Sequence, residues 1–144
     1  MTADPFSVQE RDEAGVHVIA VAGELDLATA PELCARLDAT RGLRRPRMLV
    51  DLTDVEFCDS TGLRALLGAA SEVRAHGGRF AIVCPPAGDV ARLLDVVGAS
   101  EWMVIHADPA SGLAALRLNQ RADAPTSSER WPAAARRRSA APRR

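Results

Sequence analysis

The chain has 144 residues with 47% apolar and 26% charged content, which is material for one compact core and no more. Its formal charge of −1 divides into an acidic body, with 17 acids and 11 arginines in residues 1–118, and a basic tail, with 2 acids and 7 arginines in residues 119–144. No apolar run approaches the roughly 20 residues of a membrane span, and residues 1–7 lack the features of a secretory signal. We therefore expect a cytoplasmic protein without membrane contact, whose folded domain does not bind nucleic acid directly, because phosphate backbones require basic surface.

The start of the chain predicts a β-hairpin. An alternating strand begins at Phe6 and Val8, and residues 16–22 form a second strand that is apolar on both faces. The link at residues 13–15 is short enough for a tight turn.

A helix and a buried strand follow. Residues 29–32, Thr-Ala-Pro-Glu, have the form of a capping box, so a helix is expected from there to about Thr40. Its inward face is predicted to carry Leu33, Leu37 and, as a third candidate, Cys34. Residues 48–52 are a short apolar run that suits a strand covered on both faces.

The second half of the body repeats this alternation. A polar loop is expected after Leu52, and an amphipathic helix is expected from about Thr61 to the glycine pair at 77–78. The later elements are predicted as strands at 80–84 and 102–105 and helices at 90–97 and up to about 118.

These units predict an α/β fold, with a central mixed, mostly parallel sheet and packed helices in one domain over residues 1–118. Residues 119–144 are rich in Ala, Pro, Ser and Arg and are predicted to be a disordered tail, because they offer too little apolar surface to offset the entropy of ordering.

Metal and cofactor sites are not expected. Cys34, Cys58 and Cys84 are odd in number and widely spaced, so they are interpreted as small buried apolar residues. The three histidines are scattered, and neither a phosphate-binding loop nor a dinucleotide fingerprint is present.

The junction at Asp59-Ser60-Thr61-Gly62 is the candidate functional site. Strand-to-helix junctions in open α/β sheets are where such folds place functional groups, and Gly62 leaves the Ser60 hydroxyl accessible. Asp and Ser are also the preferred residues for capping a helix, whether or not chemistry occurs there. The residues alone therefore leave a structural and a functional role open.

The sequence Asp59-Ser60-Thr61-Gly62-Leu63 resembles the phosphorylation loop of the STAS-domain anti-sigma-factor antagonists, and Gly23-Glu24-Leu25-Asp26 resembles that family's other hallmark. The similarity extends over the element series from residue 6 to 118. It implies a STAS-like fold with Ser60 as the phosphoacceptor and Thr61 as the second choice. The residues implied to bind a partner are Gly23, Glu24, Asp26, Asp59, Ser60, Thr61, Gly62 and Arg64.

The resemblance also implies a function without catalysis. The unphosphorylated family member binds an anti-sigma factor that is itself a serine kinase, which frees the sigma factor; phosphorylation ends the interaction, and a serine phosphatase restores it. Arg64, one turn after Ser60, would pair either with the phosphate or with an acid of the partner. A STAS module that binds a ligand or acts as a scaffold without phosphorylation is the alternative.

The sequence supports an enzymatic function less well than a regulatory one. The Asp-Ser-Thr-Gly run has one residue too many between Asp and Gly for an aspartic-protease loop, which also needs a second aspartate in a mostly β fold. A hydrolase elbow of the form G-x-S-x-G is absent, and no histidine is placed to act as its base.

Overall fold

The computed structural model describes residues 6–38 and 42–118, and within these the chain forms one five-stranded sheet with four α-helices. The strands are β1 (Ser7–Glu13), β2 (Val16–Leu25), β3 (Arg47–Cys58), β4 (Arg79–Val83) and β5 (Val104–His106). The helices are α1 (Ala30–Leu37), α2 (Ser60–Ala75), α3 (Asp89–Val96) and α4 (Pro109–Leu118), with a short 3₁₀ helix at Ala99–Glu101. The predicted tail lies outside the described residues.

The strands lie in the sheet in the order in which they occur in the chain. β1 and β2 form the predicted hairpin, and its turn places Ala14 and Gly15 at φ +53° and +83°. Positive φ at both central residues matches the right-handed twist of the flanking strands. The pairs β2–β3, β3–β4 and β4–β5 are parallel, so the mixed, mostly parallel sheet expected from the sequence is confirmed.

Two apolar layers enclose the sheet. The larger core joins α1, α2 and α3 to one face and includes Met48 and Val50 of β3. The smaller core joins α4 to the other face through Leu116 and includes Leu49, whose side chain alternates with the first two. β3 is therefore covered on both sides, as its run of apolar residues predicted.

The first helix differs from the prediction at both ends. No side-chain cap is formed by Thr29, because its hydroxyl turns back to donate to the carbonyl oxygen of Glu24 at 2.7 Å and to accept from the amide of Asp26 at 2.9 Å. The predicted capping box is therefore wrong. The helix ends at Leu37, and the expected end at Thr40 lies outside the described residues.

Three further expectations are corrected. Cys34 is exposed on α1, whereas Cys58 and Cys84 are buried as predicted. The polar loop expected after Leu52 is strand, since β3 continues to Cys58 and leaves Asp59 as the single residue between β3 and α2. The last strand begins at Val104, two residues later than predicted, and Trp102 lies in the turn before it.

Candidate functional site

The ends of β2 and β3 form the floor of the site. Two irregularities lengthen β3 relative to β2: three residues of β3 advance against two of β2 between Ala20 and Ala22, and two advance against one between Gly23 and Glu24. These are β-bulges, which re-aim a strand end. Gly23 lies at the second bulge with φ +97°, a conformation that favours glycine over residues with a side chain.

Asp59 connects the floor to the helix. Its amide donates to the carbonyl oxygen of Leu25 at 3.1 Å, which fixes it to the end of β2. Its carboxylate Oδ1 accepts from the amide of Gly62 at 3.0 Å, which caps α2. Of the two cap candidates that the sequence offered, Asp59 fills the role.

Ser60 is the first residue of α2, and it is exposed. Because Asp59 serves as the cap, the Ser60 hydroxyl is not required to satisfy the helix end. Thr61 is half-buried and Arg64 is exposed one turn further along the same helix. The hydroxyl that the sequence singled out is therefore accessible from solvent.

Gly62 allows the helix to begin this close to the sheet. A β-carbon at this position would lie 2.6 Å from Cγ of Leu25, 2.9 Å from the carbonyl oxygen of Leu25 and 3.1 Å from Sγ of Cys58. The first turn of α2 thus packs directly on the ends of β2 and β3, and Ser60 is held beside them.

Asp26 organises the turn after β2. Its carboxylate Oδ1 accepts from the amides of Ala28 and Thr29 at 3.0 and 3.2 Å, and its carbonyl oxygen accepts from the amide of Ala30 at 2.8 Å. These bonds form an aspartate-stabilised turn that leads into α1. Asp26 and Asp59 each use a carboxylate oxygen internally, in addition to the negative charge that they bring to the site.

The electrostatic character of the site is acidic. Segments 23–29 and 51–63 together contain six acids and no basic residue, and the first cation that follows is Arg64. The side chains of Glu24, Asp54 and Glu56 are exposed. A docking partner at this edge of the sheet therefore meets a negative surface.

Cys58 lies beneath this surface. Burial, together with the Asp59 carboxylate, raises the pKa of the Cys58 thiol to about 12. The thiol is therefore protonated at neutral pH, and it acts there as a packing residue under Gly62 rather than as a nucleophile.

The structure brings the predicted site residues from the two motifs together at one edge of the sheet. Leu25 and Cys58 are register partners, and this pairing places Glu24 and Asp26 beside the start of α2. Two exposed apolar residues at the same edge were missed: Leu27, which is 73% exposed, and Phe57, which is 44% exposed. An apolar residue directly after the polar Asp26 was the available signal for the first of them.

The described residues contain no group of His, Cys, Asp and Glu side chains arranged to hold a metal ion. None of the described helices is long and apolar enough to cross a bilayer.

Comparison with known proteins identifies relatives of the chain. The family model described as "STAS domain" matches residues 6–112. The chain is 29% identical to the anti-sigma F factor antagonist of Paenibacillus polymyxa, over 78% of this chain and 97% of that protein. It is 30% identical to the anti-sigma-B factor antagonist of Listeria monocytogenes, over 69% of this chain and 86% of that protein. The crystal structure of an anti-sigma factor antagonist from Mycobacterium paratuberculosis superposes with a TM-score of 0.70 at 29% identity, covering 78% of this chain and 95% of that one.

Proposed function

The chain belongs to the STAS domain family, and we propose that it acts in the cytoplasm as an anti-sigma-factor antagonist whose docking is ended by phosphorylation of Ser60. The observation that carries the proposal is the exposed Ser60 hydroxyl at the start of α2, beside the edge of the sheet where both sequence motifs converge. The relatives named as anti-sigma factor antagonists support the same general role.

The partner in this proposal is an anti-sigma factor with serine-kinase activity. Binding of the unphosphorylated chain frees the sigma factor, and the kinase then transfers phosphate to the Ser60 hydroxyl. A serine phosphatase restores the binding form. The chain itself supplies the acceptor and the docking surface, and it needs no catalytic group or cofactor.

Phosphorylation is compatible with the fold at this position. A phosphoserine brings roughly −1.5 to −2 charge at neutral pH. At the first residue of α2 this charge meets the positive end of the helix dipole and amides that lack intrahelical acceptors. The modification should therefore change what docks without unfolding the domain.

The effect on docking follows from charge. The added phosphate joins six acids in the two site segments, so the cost of bringing an acidic or apolar partner group against Ser60 rises. A coupling free energy of about 1 to 3 kcal/mol corresponds to roughly 5- to 150-fold in affinity, which is enough for a switch.

The test uses two substitutions of Ser60 and a matched control. Ser60→Ala should retain binding to the anti-sigma factor and block phosphate incorporation, and Ser60→Asp should weaken binding about tenfold or more, within the range of ordinary coupling. Ser71→Asp adds the same charge on an exposed position of the same helix, about three turns away, and should bind like the wild type.

Intact-mass measurement after incubation with the kinase and ATP tests the acceptor directly. Phosphate on Ser60 that is absent from the Ser60→Ala variant supports the proposal. Equal binding by the Ala and Asp variants, or phosphate that persists in the Ala variant, contradicts it. The first of these outcomes favours the scaffold alternative.

A further inference from the structure

Leu27 is the most exposed large apolar residue among the described side chains, with 73% of its surface accessible. It lies two residues beyond Leu25, whose carbonyl oxygen accepts from Asp59 and whose side chain contacts the position of Gly62. It is therefore next to the proposed switch and not at an arbitrary point of the surface.

The turn that carries Leu27 is held by its neighbours. The Asp26 carboxylate accepts hydrogen bonds from the amides of Ala28 and Thr29. The Thr29 hydroxyl in turn accepts a hydrogen bond from the amide of Asp26 and donates one to the carbonyl oxygen of Glu24. The side chain of Leu27 takes no part in these bonds. A leucine presented on a turn that is already ordered loses less conformational entropy when a partner covers it.

The space below the turn is already filled. Leu25 and Leu33 flank Leu27 in the chain and are both fully buried in the larger core. Leu27 belongs to neither core and is not among the apolar residues packed against them, so its side chain is available to an outside surface, and covering it there removes apolar area from water.

We propose that Leu27 is the apolar anchor by which the unphosphorylated chain docks on the anti-sigma factor, inserting into an apolar pocket whose rim carries arginine or lysine. The inference rests on the proposed function and adds the chemistry of the partner's surface. The apolar pocket is required by Leu27, and the basic rim is required by Glu24 and the other acids of the site segments. Phosphate on Ser60 then acts beside an anchor that is otherwise unchanged.

Leu27→Ser tests the anchor, and Leu27→Met and Val96→Ser are its controls. The serine variant should bind the anti-sigma factor about tenfold more weakly or worse, as expected for lost burial of a leucine side chain, mainly through faster dissociation. The methionine variant conserves the apolar volume and should bind within a few-fold of the wild type. Val96 is 68% exposed on α3 and lies outside both site segments in the sequence, so its serine variant should bind normally.

The measurement is biolayer interferometry with the immobilised anti-sigma factor at fixed salt, alongside urea unfolding of each variant to show that the domain remains folded. Loss of binding by Ser60→Asp with normal binding by Leu27→Ser overturns the anchor and leaves the proposed function standing. Equal binding by Ser60→Ala and Ser60→Asp overturns the switch, whatever Leu27 does.

Two further outcomes also contradict the anchor. Equal losses from Leu27→Ser and Val96→Ser would show general apolar adhesion. A Leu27→Ser variant that differs from the wild type only in sedimentation velocity would show that a second copy of this chain covers the leucine.

Discussion

The α-hydrogen of Gly62 that faces the sheet occupies a space in which no methyl group fits, because Leu25 and Cys58 already fill its surroundings. The two site motifs depend on one another at this point: the glycine of the second motif packs on the leucine of the first. Gly68, six residues further along α2, is exposed, and the corresponding β-carbon position faces open space.

The two glycines give opposite predictions for the same substitution. Gly62→Ala should lower the free energy of unfolding by about 1 to 3 kcal/mol, because the carbonyl oxygen of Leu25 or the start of α2 must move. Gly68→Ala should raise it by about 0.5 to 1 kcal/mol through helix propensity alone. Urea unfolding of both variants checks this, and a stabilised Gly62→Ala would contradict the close packing of α2 on β2.

Three features of single residues could not be predicted from the sequence: the exposure of Leu27, the exposure of Cys34 and the position of the Thr29 hydroxyl. The exposure of Leu27 and of Cys34 depends on what their neighbours already bury, and in an isolated sequence an apolar residue next to Leu33 is expected to join it. The position of the Thr29 hydroxyl depends on the carbonyl oxygen of Glu24, which is fixed in place only once the end of β2 has paired with β3.

At the scale of the elements, the start of α2 connects stability to the site. Asp59 supplies the described side-chain cap of this helix through a 3.0 Å bond to the amide of Gly62. The cap also fixes Asp59 between the end of β2 and the first residue of the helix, so that Ser60 follows in a defined position.

Asp59→Ala should lower the free energy of unfolding by about 0.5 to 2 kcal/mol, because the amide of Gly62 loses its acceptor. Asp59→Asn keeps an acceptor oxygen and should remain closer to the wild type. Chemical denaturation at neutral pH separates the two. An asparagine variant as unstable as the alanine variant would show that the negative charge at the helix end, rather than the hydrogen bond, supplies the stabilisation.

Most elements of this fold could be predicted because their apolar periods are regular, as in β2, α2 and β4. The distal half of β3 could not. Its buried residues, Leu52, Val55 and Cys58, recur every three positions instead of every two, because each bulge inserts one extra residue. A strand with that spacing and with exposed acids between its buried residues resembles a loop until its pairing with β2 is known. The polar residues of the site could be predicted from its two motifs, but its exposed apolar residues, Leu27 and Phe57, could not.

At the scale of the whole molecule, the amino-acid composition allows the ionisation of two buried thiols to be observed separately from that of other side chains. The chain has no tyrosine and no lysine, and its basic residues other than histidine are all arginines, which stay charged far above neutral pH. Apart from the thiols, the chain therefore has no side-chain type that ordinarily ionises between about pH 8 and 12. Burial raises the pKa of both Cys58 and Cys84 to about 12, with smaller contributions from the Asp59 charge and from Cys58 respectively.

This arrangement predicts a loss of stability in alkali. Near neutral pH both thiols are protonated in the folded and the unfolded chain, and they contribute almost no pH dependence. As the pH rises from about 9 towards 12, the unfolded chain releases these protons while the folded chain keeps them, so the unfolded state is favoured. The free energy of unfolding should fall by up to about 1.4 kcal/mol per pH unit for each buried thiol.

Urea unfolding at intervals from pH 8 to 11 measures this slope, and a variant carrying Cys58→Ala and Cys84→Ala is the matched comparison. The variant should start from a lower stability, because it leaves small cavities in the core, and its slope should be much flatter. Equal slopes for the two proteins would mean that the alkaline loss arises from another part of the molecule. If the free energy of unfolding of the wild type did not change with pH, water would have to reach Cys58 in the folded chain. That access would contradict the close packing of α2 on the sheet, which positions Ser60.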